Sequence, residues 1–288
     1  MDQIKKEMNE MVVLENKIDF AVLLTVDGAN PNGDPLNGNR PRITADGLGE
    51  ISDVCVKRKI RNRLQDMGER IFVQSDDRCD DGMKSLKDRA EPTIKECGKN
   101  EDKLKSSMCE KWFDVRAFGQ LLAFKTDSAS GVSIGIRGPA SIRPALSIAP
   151  VNITSTQITK SVNSETKDKK GADTMGMKYR VDHGLYVIKG SINPHLASST
   201  GFSEEDSQKL KEALRTLCIN DSSSARPEGS MDVPMVVWWK HSSKIGQYST
   251  AKVHDSIRIT PKCEMPRSFA DYEVDIVELE GLRPEIIQ

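Results

Sequence analysis

Ile18-Asp19-Phe20-Ala21-Val22-Leu23-Leu24-Thr25-Val26 is the stretch from which the fold is read. Successive side chains of a strand point to opposite sides, so Ile18, Phe20, Val22, Leu24 and Val26 share one face and Asp19, Ala21, Leu23 and Thr25 share the other. One face is wholly apolar and the second half apolar, which predicts a central strand. The run that follows has the opposite character: Asn30-Pro31-Asn32-Gly33-Asp34-Pro35-Leu36-Asn37-Gly38-Asn39-Arg40-Pro41-Arg42. Glycine supplies positive φ, proline fixes φ at about −65°, and asparagine tolerates left-handed geometry. The run is therefore a shaped loop that presents backbone N–H groups, amides and two guanidiniums. That chemistry suits phosphates or sugar hydroxyls better than a packed core.

Working outward, Ser52 reads as the N-cap of a helix running from Asp53 to Leu64. Val56, Ile60, Leu64 and Met67 keep the spacing of a buried stripe, while Lys57, Arg58 and Arg61 lie together on another face. Ser75–Asn100 is polar and aperiodic and predicts an irregular insertion with short helical pieces. A helical pattern returns over Trp112–Phe124. Strands are predicted at Val132–Ile136, Ala140–Ile142 and Val151–Ile158. Ser161–Thr174 is nearly devoid of apolar side chains and separates two β-type arms, Ile153–Thr159 and Met175–Val181, so a long projecting hairpin is predicted there. Leu185–Ile192 is a further strand. Ser203-Glu204-Glu205-Asp206 opens a helix whose Leu210, Leu214 and Leu217 face inward. Val233–Trp239 is apolar throughout and predicts a strand buried on both faces. Lys252–Thr260 and Tyr272–Leu279 read as later edge strands. This order predicts an α+β fold: one RRM- or ferredoxin-like antiparallel sheet over residues 1–288, with helices on one face.

Bulk charge is uninformative, at a net −1, but its distribution is not. Arg40–Arg63 holds seven basic and three acidic residues, whereas Asp271–Glu285 holds one basic and six acidic. Such segregation predicts one positive face on a near-neutral molecule, or an acidic edge that meets a basic edge in a repeating assembly. The six cysteines include no Cys-x-x-Cys pair, and the four histidines add no metal-ligand spacing, so neither a structural zinc nor any other cofactor is predicted. The N-terminus is acidic and amphipathic rather than basic then apolar, and no apolar run approaches membrane length. A cytoplasmic protein without a membrane partner is expected.

No P-loop, nucleophile elbow or His-Glu-x-x-His motif occurs, so no enzyme is predicted. Asp27 and Asp34 flank the loop and could hold a metal for phosphodiester cleavage, which keeps a metal-dependent ribonuclease as the alternative reading. The ordinary role of such residues is to cap turns. The loop and the basic helix adjoin in sequence and form the stronger signal. Leu185-Tyr186-Val187 lacks the paired aromatics with which an RRM stacks bases, so any RNA should be gripped by its backbone. A stand-alone RRM-like regulator is a third reading, against which the long hairpin argues.

Thr25-Val26-Asp27-Gly28-Ala29-Asn30-Pro31-Asn32-Gly33-Asp34-Pro35 with Asn39-Arg40-Pro41-Arg42 resembles the CRISPR-associated Cascade backbone subunit, the Cas-seven family, and its type I-C group in particular. Ser52-Asp53-Val54, Lys57-Arg58-Lys59-Ile60-Arg61, Phe113-Asp114-Val115-Arg116-Ala117-Phe118-Gly119, Met175-Gly176-Met177-Lys178 through Gly184-Leu185-Tyr186, and His241 extend the resemblance along nearly the whole chain. It implies a palm, a helical fingers insertion at about 68–125 and a β-hairpin thumb at 151–183. It also implies a non-catalytic subunit whose copies form a helical filament along a guide RNA (crRNA), kink it and present it to target DNA for antiviral defence. The implied partners are the guide RNA, target DNA through the guide, further copies of the chain, other Cascade subunits and a recruited helicase-nuclease. The expected RNA contacts are Asn30, Asn32, Asn37, Asn39, Arg40, Arg42, Lys57, Arg58, Arg61, Arg143, Met175, Lys178 and Arg180. Related subunits of type III complexes cut RNA with an acidic loop residue and a metal, which is the role Asp34 would have to fill.

Overall fold

A computed structural model describes residues 12–98, 100–124, 132–161, 166 and 175–288. The chain opens with β1 (Ile18–Ala29), a small hairpin of β2 (Gly33–Asp34) and β3 (Arg40–Pro41), β4 (Leu48–Ile51) and helix α1 (Asp53–Asp66). Three helices follow, α2 (Leu86–Cys97), α3 (Glu101–Lys111) and α4 (Phe113–Phe118), and then β5 (Gly119–Phe124) and β6 (Val132–Arg137). Next come β7 (Ala140–Ile142), β8 (Ala145–Pro150), β9 (Ile153–Thr159) and the long β10 (Met175–Ile192). The last part comprises α5 (Pro194–Thr200), α6 (Glu204–Arg215), β11 (Met231–Lys240), α7 (Thr250–His254), β12 (Ile257–Pro261), β13 (Tyr272–Ile276) and β14 (Glu285–Ile287).

The main sheet runs β14-β11-β1-β10-β8-β4, every described pair antiparallel, with β7 and β9 also on β10. The predicted central strand β1 is central, paired with β10 from Ile18↔Ile192 to Ala29↔Val181 and with β11 from Ile18↔Lys240 to Val26↔Met231. Its register with β11 shifts between Leu23 and Thr25. Pro234 lies opposite this shift. It has no N–H to give the ladder, so a bulge there is the expected geometry.

The two faces of β1 feed two cores. Ile18, Phe20, Val22, Leu24 and Val26 pack with α1 (Val56, Ile60, Leu64) and α6 (Leu210, Leu214), where Phe20 stacks on Trp238 at 5.4 Å. Ala21 and Leu23 join Leu185, Val187, Val237 and Trp239 in a second core. The predicted helices on one face are present, but the other face is also covered, by α7 and the β12–β13 pair. Its aliphatic and tryptophan side chains would otherwise lie in water, at a cost of about 25 cal/mol per Å². Asp19 on this face is fully buried and held by Lys17, His241 and Thr250, with His241 Nε2 2.9 Å from its Oδ2. Burial works to raise the Asp19 pKa, but these partners outweigh it and hold the carboxyl below its usual range.

Several predicted boundaries move. Ser75–Asn100 holds a regular twelve-residue helix, α2, capped by the Ser85 hydroxyl. It forms a third core with α3 and the β5–β6 hairpin around Phe72, Leu104, Met108 and Leu122. The helical pattern over Trp112–Phe124 breaks at Gly119, whose φ of +78° ends α4 and starts β5. Lys252–Thr260 divides into α7, capped by the Ser249 hydroxyl, and β12. The predicted hairpin arms do pair, Met175↔Thr159 through Val181↔Ile153, and β10 carries one of them straight into the main sheet. Its expected tip, Ser161–Thr174, lies almost wholly outside the described residues.

Candidate nucleic-acid interface

The Asn/Gly/Pro loop folds back as the β2–β3 hairpin, Gly33↔Pro41 and Asp34↔Arg40, closed by the Asn39 N–H on the Asp34 carbonyl at 2.8 Å. A 3₁₀ turn over Pro35–Asn37 forms its tip, with the Leu36 N–H donating to the Asp34 side chain. Gly38 and Asn39 both adopt left-handed φ, the role their residue types permit. A Cβ at Gly33 would lie on top of the Asn39 side chain, so a larger residue there would push that side chain aside.

The asparagines divide by role. Asn32 Oδ1 accepts from both the backbone N–H and the hydroxyl of Ser52, each at 2.9 Å, and Ser52 caps α1. One amide thus clamps the loop to the start of the basic helix. Asn30 is buried and its Nδ2 donates to the Asn39 carbonyl at 2.7 Å, while its Oδ1 has no partner among the described residues. Asn37 and Asn39 are exposed on the hairpin.

The cations divide as well. Arg40 lays its guanidinium on the ring of Tyr179, 4.6 Å from the centroid, which joins the loop to the hairpin arm of β10. Arg42 is half-exposed, 3.4 Å from Asp34 through Nη2, with a buried Nε that has no partner among the described residues. Lys57 pairs with Asp53 at 3.0 Å one turn back. Arg58 and Arg61 turn inward. Arg58 donates to the Val73 carbonyl at 2.7 Å, and Arg61 Nε donates to Asp114 at 2.8 Å. Asp114 is 1% exposed and also accepts the Phe72 and Val73 amides. Burial and the neighbouring Arg61 charge both push the Arg58 pKa down. Lys59 is buried against Asp221, which Arg226 also reaches.

On the hairpin arm, strand alternation separates the remaining candidates. Met175, Met177 and Tyr179 share one face, the face on which Arg40 stacks, whereas Lys178 and Arg180 occupy the other. Met175 and Met177 are exposed. Arg180 stands 3.6 Å from Asp182 and lines a cleft of about 520 Å³ at the base of the arm. Arg143 stands elsewhere, in a groove with side chains of the second core. The structure therefore brings together the β2–β3 hairpin, the start of α1 and the base of the arm, and leaves Arg143 apart.

Three participants were not foreseen from the sequence: Tyr179, Ser52 as a loop anchor, and His183, whose Nδ1 meets Asp27 Oδ1 at 2.5 Å. Only Ser52 carried a local signal, its capping position. Asp27 meets His183, and Asp34 meets the Leu36 amide and Arg42. Among the described residues, no three His, Cys, Asp or Glu side chains stand together as a metal site needs. No helix among them is long and apolar enough to cross a membrane.

A family model described as CRISPR-associated protein Cas7 matches residues 16–277. A curated relative from Haloferax volcanii with the same description is 26% identical over 285 residues, covering 92% of this chain and 82% of the relative. Among solved structures, a chain from a complex described as a CRISPR RNA-guided surveillance complex, pre-nicking, superposes with a TM-score of 0.50 at 14% identity, over 77% of this chain and 75% of that one. A chain from a second CRISPR RNA-guided surveillance complex gives a TM-score of 0.43 at 15% identity, over 77% and 68%. The first superposition places the large antiparallel sheet and its helices in an architecture already seen.

Proposed function

This chain belongs to the Cas7 family of CRISPR-associated proteins, and from that membership we propose that it is a non-catalytic backbone subunit of a type I-C RNA-guided surveillance complex. Its copies line up along a guide RNA in the cytoplasm and hold the sugar-phosphate backbone. Base pairing between guide and target DNA then reads the sequence, and a separate helicase-nuclease cuts. The main sheet with α1 and α6 is an RRM-like palm, the third core is the fingers, and the β9–β10 hairpin is the thumb. The observation that carries this reading is the Arg40–Tyr179 stack, together with the Asn32 clamp on Ser52. These contacts hold two guanidiniums, those of Arg40 and Arg42, on one rigid hairpin beside the thumb base. Preformed cations at fixed spacing suit a repeating phosphate chain. Met175 and Met177, on the same face of the thumb as Tyr179, present adaptable apolar surface that can wedge at a kink in the guide.

Electron microscopy of the chain with guide RNA and its sister subunits tests this reading. A helical row of copies supports it, and isolated monomers on RNA reject it. Arg40→Ala with Arg42→Ala should weaken RNA binding at least tenfold. It should also flatten the slope of log affinity against log salt by about 0.7 for each phosphate that the variant no longer neutralises. Magnesium-dependent cleavage of complementary RNA that vanishes in Asp34→Ala would replace the scaffold with a nuclease.

A further inference from the structure

On the sheet face away from α1, Leu146 and Ile148 of β8 and Val187 of β10 floor a groove of about 410 Å³, and Ile257 and Ile259 of β12 form one wall. Leu146 and Val187 are cross-strand partners, so their side chains stand together on this face, and Leu146 remains 40% exposed. Arg143 and Lys189 also line it, and neither side chain makes a hydrogen bond or ion pair among the described residues. The half-buried Lys189 ammonium is held below its ordinary pKa by desolvation; Asp255 opposes that shift and Arg143 adds to it. The wall has a further property. β12 pairs with β13 along one edge only, so its other edge offers backbone N–H and C=O groups to no described strand.

We propose that this groove docks an extended segment of a partner protein whose one face carries both apolar and acidic side chains, added as a further strand on the free edge of β12. Main-chain hydrogen bonds to β12 supply affinity, and every second side chain turns down onto the floor, the apolar ones over Leu146 and Val187 and the acidic ones toward Arg143 and Lys189. The carboxylates reach the two unpaired cations, where charge-assisted hydrogen bonds are the strong ones. Single-stranded nucleic acid fits less well. No aromatic side chain lines the groove to stack a base, and stacking is the usual means by which such strands are held. This surface is independent of the loop–thumb region and does not depend on its reading as an RNA cradle.

The test uses the full chain and a fluorescein-labelled, end-blocked octapeptide in which threonine alternates with two valines and then two glutamates, so that valine and glutamate share one face, followed by anisotropy. Saturable binding is expected. It should weaken at least tenfold in Arg143→Glu and in Lys189→Glu, and at least tenfold when lysine replaces glutamate in the peptide. Methylating every second backbone nitrogen of the peptide, in each register separately, should abolish binding in the register that faces β12. That arm needs no protein variant and so survives a failure of either to fold. Absence of saturable binding, equal binding of both methylated peptides, or indifference to both charge reversals overturns the proposal. So does displacement of the peptide by an oligouridylate, which would make the groove a nucleic-acid site. A shift in oligomeric state with Arg143→Glu, without peptide binding, would assign the groove to a second copy and likewise overturn it.

Discussion

Truncating Arg61 separates two roles that a basic helix can have. If Arg61 holds RNA, Arg61→Ala should cost affinity and little stability. If it holds the protein together, the order reverses. The structure favours the second. The Arg61 side chain is 13% exposed, and its Nε meets a carboxylate, Asp114, that is 1% exposed. Removing one partner of a buried ion pair costs about 3–5 kcal/mol, because the other charge is left uncompensated. Asp114 keeps the Phe72 and Val73 amides at 2.7 and 3.1 Å, which places the cost at the lower end. The Arg61 guanidinium also sits 5.3 Å from the Phe118 ring centroid, an interaction worth about 0.5–1 kcal/mol. A loss of about 3 kcal/mol follows, which for a chain of this length is a fall in Tm of roughly 6–12 °C. Scanning calorimetry reads it directly. A double-mutant cycle with Asp114→Ala should return a coupling of about 2–3 kcal/mol between the two sites. The contrast is Arg40→Ala with Arg42→Ala, on an exposed hairpin, which should leave Tm within about 2 °C. An Arg61→Ala protein with unchanged Tm and a tenfold loss of RNA affinity would refute the reasoning and return Arg61 to the RNA-binding surface.

Two further outcomes follow from buried or strained positions. Burial is the main reason the His254 pKa is depressed below 6.5, and its Nδ1 has no partner among the described residues. As pH falls below 6.5 the unfolded chain takes the proton first, so stability present above that value is lost as pH drops through the folded pKa. His254→Gln should therefore flatten the loss of stability between about pH 7 and about pH 5, by up to about 1.4 kcal/mol per pH unit, in urea titrations; an unchanged slope would show that His254 does not carry it. Gly119→Ala should destabilise the β5–β6 hairpin by about 2 kcal/mol or more, because φ is +78° and a Cβ would collide with the Ile136 carbonyl oxygen. Hydrogen exchange confined to β5, β6 and α4 checks it, and unaltered protection there would count against the strain.

What the sequence made legible was what local chemistry settles. β1, the Ser52 cap, the Ser203–Asp206 capping box and the paired hairpin arms all rest on residues close in sequence. Where local signals compete, the outcome differs from the pattern. Ile257 and Ile259 alternate like a strand, but the Ser249 hydroxyl accepts the Lys252 N–H and so takes the preceding residues into α7. The polar stretch around α2 has weak periodicity and Pro92 in its interior, yet it is a helix. Its buried Arg89 donates to Asp81 and to the Phe72 carbonyl, and these tertiary interactions replace what a proline removes from the backbone ladder. The second core was half visible, since Ala21 and Leu23 demand a cover, but nothing in sequence says that residues 250 and beyond provide it.

The candidate site shows the same division more sharply. Lys57, Arg58 and Arg61 read as one basic face because a helix wheel counts only near neighbours. Availability to a phosphate is instead a tertiary property. Arg61 is answered by a carboxylate 53 positions along the chain, and Lys59 by one 162 positions along. Such pairings leave no periodic trace, so a charge run cannot reveal which of its members are already neutralised. The loop differs because its geometry is local. Gly33, Gly38 and Asn39 fix the hairpin, and the hairpin fixes where Arg40 and Arg42 emerge. The basic helix therefore works within the protein, holding Val73 and Asp114 through Arg58 and Arg61 and the loop through its cap. It follows that removing the helix cations and removing the loop cations should fail in different ways, the first as lost stability and the second as lost affinity in a protein that still folds.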